Sequence, residues 1–415
     1  MGDPSTMKSN GPLAGIRVLD ISRVVAGPYA GQILGDLGAE VIKLERQGEG
    51  DDSRRVGPPW MRDSAGNETE ESTYFQAVNR NKYSVTIDYA QPEGAQLIRD
   101  LAAKSDVLLE NYRSGTLDKY GLGYEDLKRI NPRLVYCSLT GFGQTGPYAN
   151  RSGYDYLIQA MAGLMSVTGR RDTEAGAGPL RVGVPIVDIC AGLYAVISIL
   201  AALAHRTTTG EGQQVDVNLF DTQISAMLNT FSAWFNADVA LGRTGNDHPS
   251  SAPYGVFPVD DGFILIATFN DREFVRLSKV LGHPEWSDDP RFAKGGGRVA
   301  NRELLKNLVT EALKGKGKDE WVRVMNSGLV SCGPINEMSD LAHDPQVIAR
   351  DLIVTQPHPI SGSVKTAASP MRFSASPASY RLPPPLLGEH TEQVLRDLLG
   401  LDPVLLAQLR AKKAI

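Results

Sequence analysis

One acid stands alone in "GPLRVGVPIVDICAGLYAVISILAALAHR" (178–206): Asp188, set in an apolar run. An isolated carboxylate in such surroundings is costly unless something binds it or it has a chemical task. Two tasks suit it. As the residue just before a long helix it would cap N–H groups that have no partner within the helix. At that end the helix dipole favours an anion, so the carboxylate is expected to stay ionised near neutral pH. A fixed, partly desolvated carboxylate can also act as a covalent nucleophile. The residues alone leave both tasks open.

Basic residues supply the second chemical signal. Arg46, Lys82, Arg113 and Lys119 each fall in a loop after a separate expected strand, or in the first turn beyond it. Four cations converging on one sheet edge suit a ligand with several phosphates; the plainer alternative is four independent surface charges. The segment "GFGQTG" (141–146) matches G-x-G-x-x-G after a strand, but Pro147 and loop chemistry follow where a dinucleotide fingerprint must open a helix. It reads as a glycine loop over the polyphosphate or acyl end of some ligand. No HExxH, His/Cys cluster, P-loop lysine or G-x-S-x-G is present, which disfavours metal chemistry and serine hydrolysis.

The elements that must carry these residues follow from the apolar rhythm. "IRVLDI", "PYAGQILGDLGA" and "EVIKLE" read as strand, helix and strand, and two further alternations end in "DVLLENY" and "RLVYCSLTGF". That alternation predicts an α/β fold, a Rossmann-like parallel sheet with helices on both faces and the ligand beyond the strands' carboxyl ends. From about residue 225 the texture changes to a hairpin, "SSAPYGVFPVDDGFILIATFN", and amphipathic helices, which predicts a smaller α+β domain. The expected division is a leader or tag over 1–10, a large domain over 11–224, a small domain over 225–330, and a return to the large domain with a C-terminal helix over 331–415.

With 415 residues the chain has room for two cores. Its net charge of −5 gives no general attraction for nucleic acid or an anionic membrane, so neither is expected as a partner. The longest apolar run, Ile189 to His205, is a little short for a membrane span. Three scattered cysteines lack both a disulfide framework and metal-ligand spacing, which suits a reducing compartment. The cytoplasm is the expected location, or the mitochondrial matrix if a transit peptide has been removed.

From Leu13 to about Leu399 the chain resembles the family III CoA-transferases of the formyl-CoA transferase type. The resemblance is carried, in order, by "RVVAGPYAGQILGDLGAEVIKLER", "VNRNKYSV", "ENYRSGTLDKYGLGYEDL", "YCSLTGFGQTGPYANRSGYD", "VGVPIVDICAGLYA", "TGEGQQVDVNLFD", "CGPINEM" and "LGEHT". Two stretches, "GDLGAEVIKLERQGEGDDSRRVGPPW" and "RLPPPLLGEHT", are most similar to the succinyl-CoA:glutarate branch. The resemblance implies Asp188 as catalytic residue and a coenzyme A thioester as substrate, with no prosthetic group. Its implied coenzyme contacts are Val25, Ala26, Arg46, Asn79, Arg80, Asn81, Lys82, Asn111, Tyr112, Arg113, Lys119, Thr140, Gly141, Phe142 and Gly143. It also implies an interlocked homodimer whose smaller domain closes the site.

Three departures bear on the substrate. Phe142 stands where a tyrosine is common, and "GNDHPSSAPYG" stands where formyl-CoA transferases have a glycine-rich flap, which disfavours formyl-CoA and oxalate. Tyr154 replaces the histidine that α-methylacyl-CoA racemases of the same fold use as acid/base, and a phenol of pKa ~10 is a poor partner for α-proton exchange. Transfer is therefore expected over racemisation, with succinyl-CoA as donor and glutarate or a related C4–C6 dicarboxylate as acceptor. A dicarboxylate needs a cation for its far end, and Arg23 and Arg181 are the candidates, since arginine matches carboxylates bidentately. The expected route runs through an aspartyl anhydride and an aspartyl-CoA thioester.

Overall fold

The computed structural model describes residues 10–415. The leader reading of 1–10 therefore falls, apart from Asn10, outside the described residues. The chain forms two compact units: one takes in the chain up to Ala162 together with Gly183–Leu228 and Ile348–Ile415, the other Gly163–Val182 and Asn229–Val347.

The first unit is built on six parallel strands: β1 (Arg17–Asp20), β2 (Glu40–Glu45), β3 (Lys82–Thr86), β4 (Val107–Glu110), β5 (Val135–Thr140) and β6 (Gln214–Asn218). Their order across the sheet is β3-β2-β1-β4-β5-β6. The order reverses between β1 and β4, and the loops beyond those two carboxyl ends part there to leave a crevice. Strands β4 and β5 are buried at every residue, as a sheet covered on both faces requires. One face carries α1 (Ala26–Asp36) against α4 (Ile186–Thr209). The other carries α2 (Pro92–Ala103), α3 (Tyr124–Ile130) and the helix Thr391–Leu399.

Helix α4 is long and apolar enough, by length and composition, to cross a membrane. Nine of its residues, among them Val187, Ala191, Ala195 and Ile199, are buried, most of them in the core it shares with α1 and the sheet. It is longer than the run read from sequence because Ile186–Asp188 extend it at one end and Arg206–Thr209 at the other.

The second unit centres on a three-stranded antiparallel sheet, Tyr254–Val259, Gly262–Ala267 and Ser331–Pro334. Asp260-Asp261 form the hairpin turn, and Phe257, Ile264 and Ile266 face a core closed by Phe274, Trp286, Phe292 and Trp321. Ser331–Pro334 pairs with Gly262–Ala267, so the chain returns to the first unit at Ile348 and not at 331. Residues 163–182 cluster with this unit for a similar reason: Arg171 pairs with Asp247, Arg243 with Asp172, and Gly245 N–H donates to Gly169 O.

Candidate active site

The first turn after β1 is pinned from four sides. Asp20 accepts the N–H and hydroxyl of Ser22, and the Lys43 ammonium donates to Ser22 O at 3.0 Å. The Asn111 amide brackets Arg23, accepting its N–H at 2.8 Å and donating to its carbonyl at 2.7 Å. Asp51 accepts the N–H of Val24 at 3.0 Å. These bonds hold Val24 at φ +71°, a left-handed conformation that a β-branched residue adopts only when its surroundings over-determine it. The strained turn delivers Val25 and Ala26 to the start of α1, at the rim of the crevice.

Behind the turn lies a buried charge network. Lys43 meets Asp51 at 2.8 Å and Lys82 meets Asp20 at 3.0 Å, all four side chains fully shielded from solvent. Burial alone would raise the Asp51 carboxyl; Lys43 and the N–H donors of Ser53 and Val24 override it and hold the group far below the carboxylate range. Burial pulls the Lys82 ammonium down to about 8, against the opposing pull of Asp20. Sequence reasoning missed Lys43, Asp51 and Asp155. The alternation of "VIKLE" carried the signal, since it sets Lys43 and Glu45 on one face of a fully covered strand.

Arg23, Val25, Ala26, Asn111, Tyr112 and Arg113 line a cleft of about 230 Å³ beyond β1, β4 and β5, together with Thr140, Gly141 and Asp188. A neighbouring cleft of about 440 Å³ beyond β2 and β3 contains Arg46. The two share Arg23, Asp52 and Tyr112. Arg23 donates to Asp52 at 2.9 Å and lies 4.7 Å over the Tyr112 ring, so it is already paired.

The remaining sequence-derived positions lie elsewhere. The side chains of Asn79, Arg80, Asn81 and Lys82 are buried and committed internally: Arg80 forks onto Asp36, Asn81 binds Asp36 and Ser379, and Asn79 and Lys82 bind each other. They brace the fold, and no group of theirs lines either cleft. Phe142 and Gly143 belong to the glycine loop itself, Phe142 packed into the core and Gly143 at φ +86° against Asn218. Lys119 is exposed on the turn Leu117–Tyr120 and lines neither cleft. Arg181 belongs to the second unit and donates to Val182 O.

Asp188 differs from its expected state. Pro185, not Asp188, occupies the cap position of α4, and Asp188 is the third helical residue. The cap comes from another element: Asp155 accepts the N–H of Val187 at 2.7 Å and of Asp188 at 3.2 Å. No described residue donates a hydrogen bond to the Asp188 carboxylate. Burial, with the Asp155 charge adding to it, pushes the Asp188 carboxyl up to about 7. The helix dipole does not keep Asp188 fully ionised as expected, because Asp155 takes the N–H groups that would have stabilised the anion. A half-buried carboxyl poised near neutrality, facing a cleft beside glycine-loop backbone, is suited to nucleophilic or proton-transfer chemistry.

Residues 13–391 match CoA-transferase family III. The chain belongs to that family. It is a CoA-transferase, and coenzyme A thioesters are its substrates. A succinate–glutarate CoA-transferase of Agrobacterium fabrum is 43% identical over 388 residues, 93% of this chain and 96% of that protein. A human succinyl-CoA:glutarate CoA-transferase is 39% identical, covering 96% of this chain and 88% of its own length. The crystal structure of a CAIB/BAIF family protein from Brucella suis superimposes with a TM-score of 0.84 at 43% identity, over 94% of this chain and all of that one.

Proposed function

We propose that this CoA-transferase moves coenzyme A from succinyl-CoA to glutarate or a related C4–C6 dicarboxylate, with Asp188 as covalent carrier. The observation that carries the reading is the Asp188 carboxyl itself: unpartnered among the described residues, facing the cleft and poised near neutrality. The names of the relatives support the donor and the acceptor class.

In its ionised form Asp188 attacks the thioester carbonyl; the C–S bond breaks, leaving an aspartyl–succinyl anhydride and the coenzyme thiolate. The thiolate attacks the aspartyl carbonyl and expels succinate, giving an aspartyl-CoA thioester. An acceptor carboxylate attacks that thioester, and the released thiolate attacks the acceptor carbonyl, forming the new acyl-CoA and restoring Asp188. Each intermediate preserves the activation of the thioester, so no nucleotide hydrolysis is required. Binding of the coenzyme's nucleotide end in the larger cleft would hold the thiolate near the anhydride through the exchange. The pinned turn Ser22–Val25 supports that role because its geometry is set before substrate arrives.

The homodimer belongs to the same proposal. Leu193, Tyr194 and Ile197 form an exposed apolar stripe on α4, at 42%, 42% and 59% exposure, and a second copy is the surface that would cover it. We place the enzyme in the cytoplasm. Acceptor-dependent release of succinate and formation of the new acyl-CoA, followed chromatographically without ATP, tests the reading. Wild type should exchange and Asp188→Ala should not; equal exchange by both would refute it.

A further inference from the structure

Three arginines line the cleft that holds Asp188: Arg23, Arg113 and Arg151. Arg23 is spent on Asp52, and Arg113 also lines a separate cleft beside Glu110. Arg151 has no carboxylate partner among the described residues. Its guanidinium lies 4.5 Å over the Tyr148 ring and 5.2 Å over the Phe142 ring, and its one hydrogen bond is a long contact of 3.9 Å to the Met161 sulfur. The two rings meet edge to face, with centroids 5.4 Å apart.

Such a platform orients a guanidinium without consuming its N–H donors, because the rings engage its faces and leave its edges free. A phenylalanine at 142 suits this better than a tyrosine, whose hydroxyl would offer the edge a competing polar partner. Arg151 also lies three residues before Tyr154 on the loop that leads to Asp155, so the chain bringing the cap to α4 brings a free cation to the same cleft.

Resting on the CoA-transfer reading above, we infer that Arg151 binds the far carboxylate of the dicarboxylate whose near carboxylate reacts at Asp188. It is a specificity residue, and it replaces Arg23 as the principal candidate for that contact. A monocarboxylate of equal length has nothing to place on it.

The test holds succinyl-CoA saturating and compares glutarate with pentanoate as acceptors in wild type, Arg151→Ala and Arg151→Lys. In Arg151→Ala the glutarate-over-pentanoate ratio of kcat/KM should fall roughly tenfold or more, the size of one lost charge-assisted pair. The loss should reside in the glutarate KM, with pentanoate turnover unchanged; Arg151→Lys should recover part of it, as a point charge without the fork. An unchanged ratio, or equal losses for both acids, would overturn the inference, the latter by showing that the arginine serves the coenzyme or the fold. Trapping of the Asp188 adduct in the same variants keeps this outcome separate from a failure of the transfer reading itself.

Discussion

The Asp155 carboxylate accepts the backbone N–H of Asp188 at 3.2 Å and that of Val187 at 2.7 Å, so α4 is capped from another element while the Asp188 side chain takes no part in the cap. One acid does the structural work and leaves the other chemically available, and its charge helps to keep the second near neutrality.

That arrangement predicts a pH profile. Only ionised Asp188 is nucleophilic, so kcat/KM should rise with pH through a midpoint near 7. Asp155→Asn keeps an oxygen acceptor for the cap but removes the charge. Its midpoint should move to lower pH, by about one unit, as read from initial rates across pH. An unmoved midpoint would show that Asp155 does not tune Asp188.

The same shift has a stability consequence of defined sign. The Asp188 carboxyl is raised from 3.8 to about 7, so between those values the folded chain binds more protons than the unfolded chain, and stability falls as pH rises through the window. Asp188→Asn escapes that loss. Its advantage over wild type should be absent below pH 4, grow through the window, and level off above about pH 7 at about 2 kcal/mol, allowing for partial exposure. Urea denaturation at several pH values measures it.

Lys43 gives a prediction that joins stability to binding. Lys43→Ala leaves the buried Asp51 carboxylate uncompensated and frees Ser22 O. It should destabilise the fold by about 3–5 kcal/mol. In the folded fraction the KM for succinyl-CoA should rise, because Val24 loses the support that maintains its left-handed conformation. Denaturant midpoints and steady-state kinetics read the two effects separately.

A smaller change tests the glycine loop. A Cβ on Gly141 would lie 2.6 Å from the backbone of Gly153, so the two loops that bear Thr140 and Tyr154 must part. Gly141→Ala should cost about 1–3 kcal/mol and lower kcat. Glycine at 141 is thus required by close approach of backbone, whatever ligand the loop covers.

Much of this fold was legible in the residues because continuous apolar strands alternating with amphipathic helices admit few arrangements. Strand β2 was read at its true limits, and the hairpin was recognised around Asp260-Asp261. Strand β6 went unread, since "QVDVN" is short and polar and becomes a strand by pairing with β5. The electrostatics were less legible. Charges in loops and strands read as solvated or ligand-facing, yet Lys82 and Arg80 are spent inside the fold, and only the adjacency of β1, β2 and β3 reveals why. Asp188 was found because it is alone in its run. Its protonation state was not, because that depends first on burial in the fold and then on Asp155, 33 positions away and brought near by tertiary structure.

Transfer through Asp188 requires a covalent bond to a single side chain. Incubating the protein with succinyl-CoA, quenching with hydroxylamine and sequencing its peptides by mass spectrometry examines that bond directly. A hydroxamate should form on Asp188, require the thioester and disappear in Asp188→Ala. An unmodified Asp188 in enzyme that is turning over, or a label on another residue, would contradict transfer through Asp188.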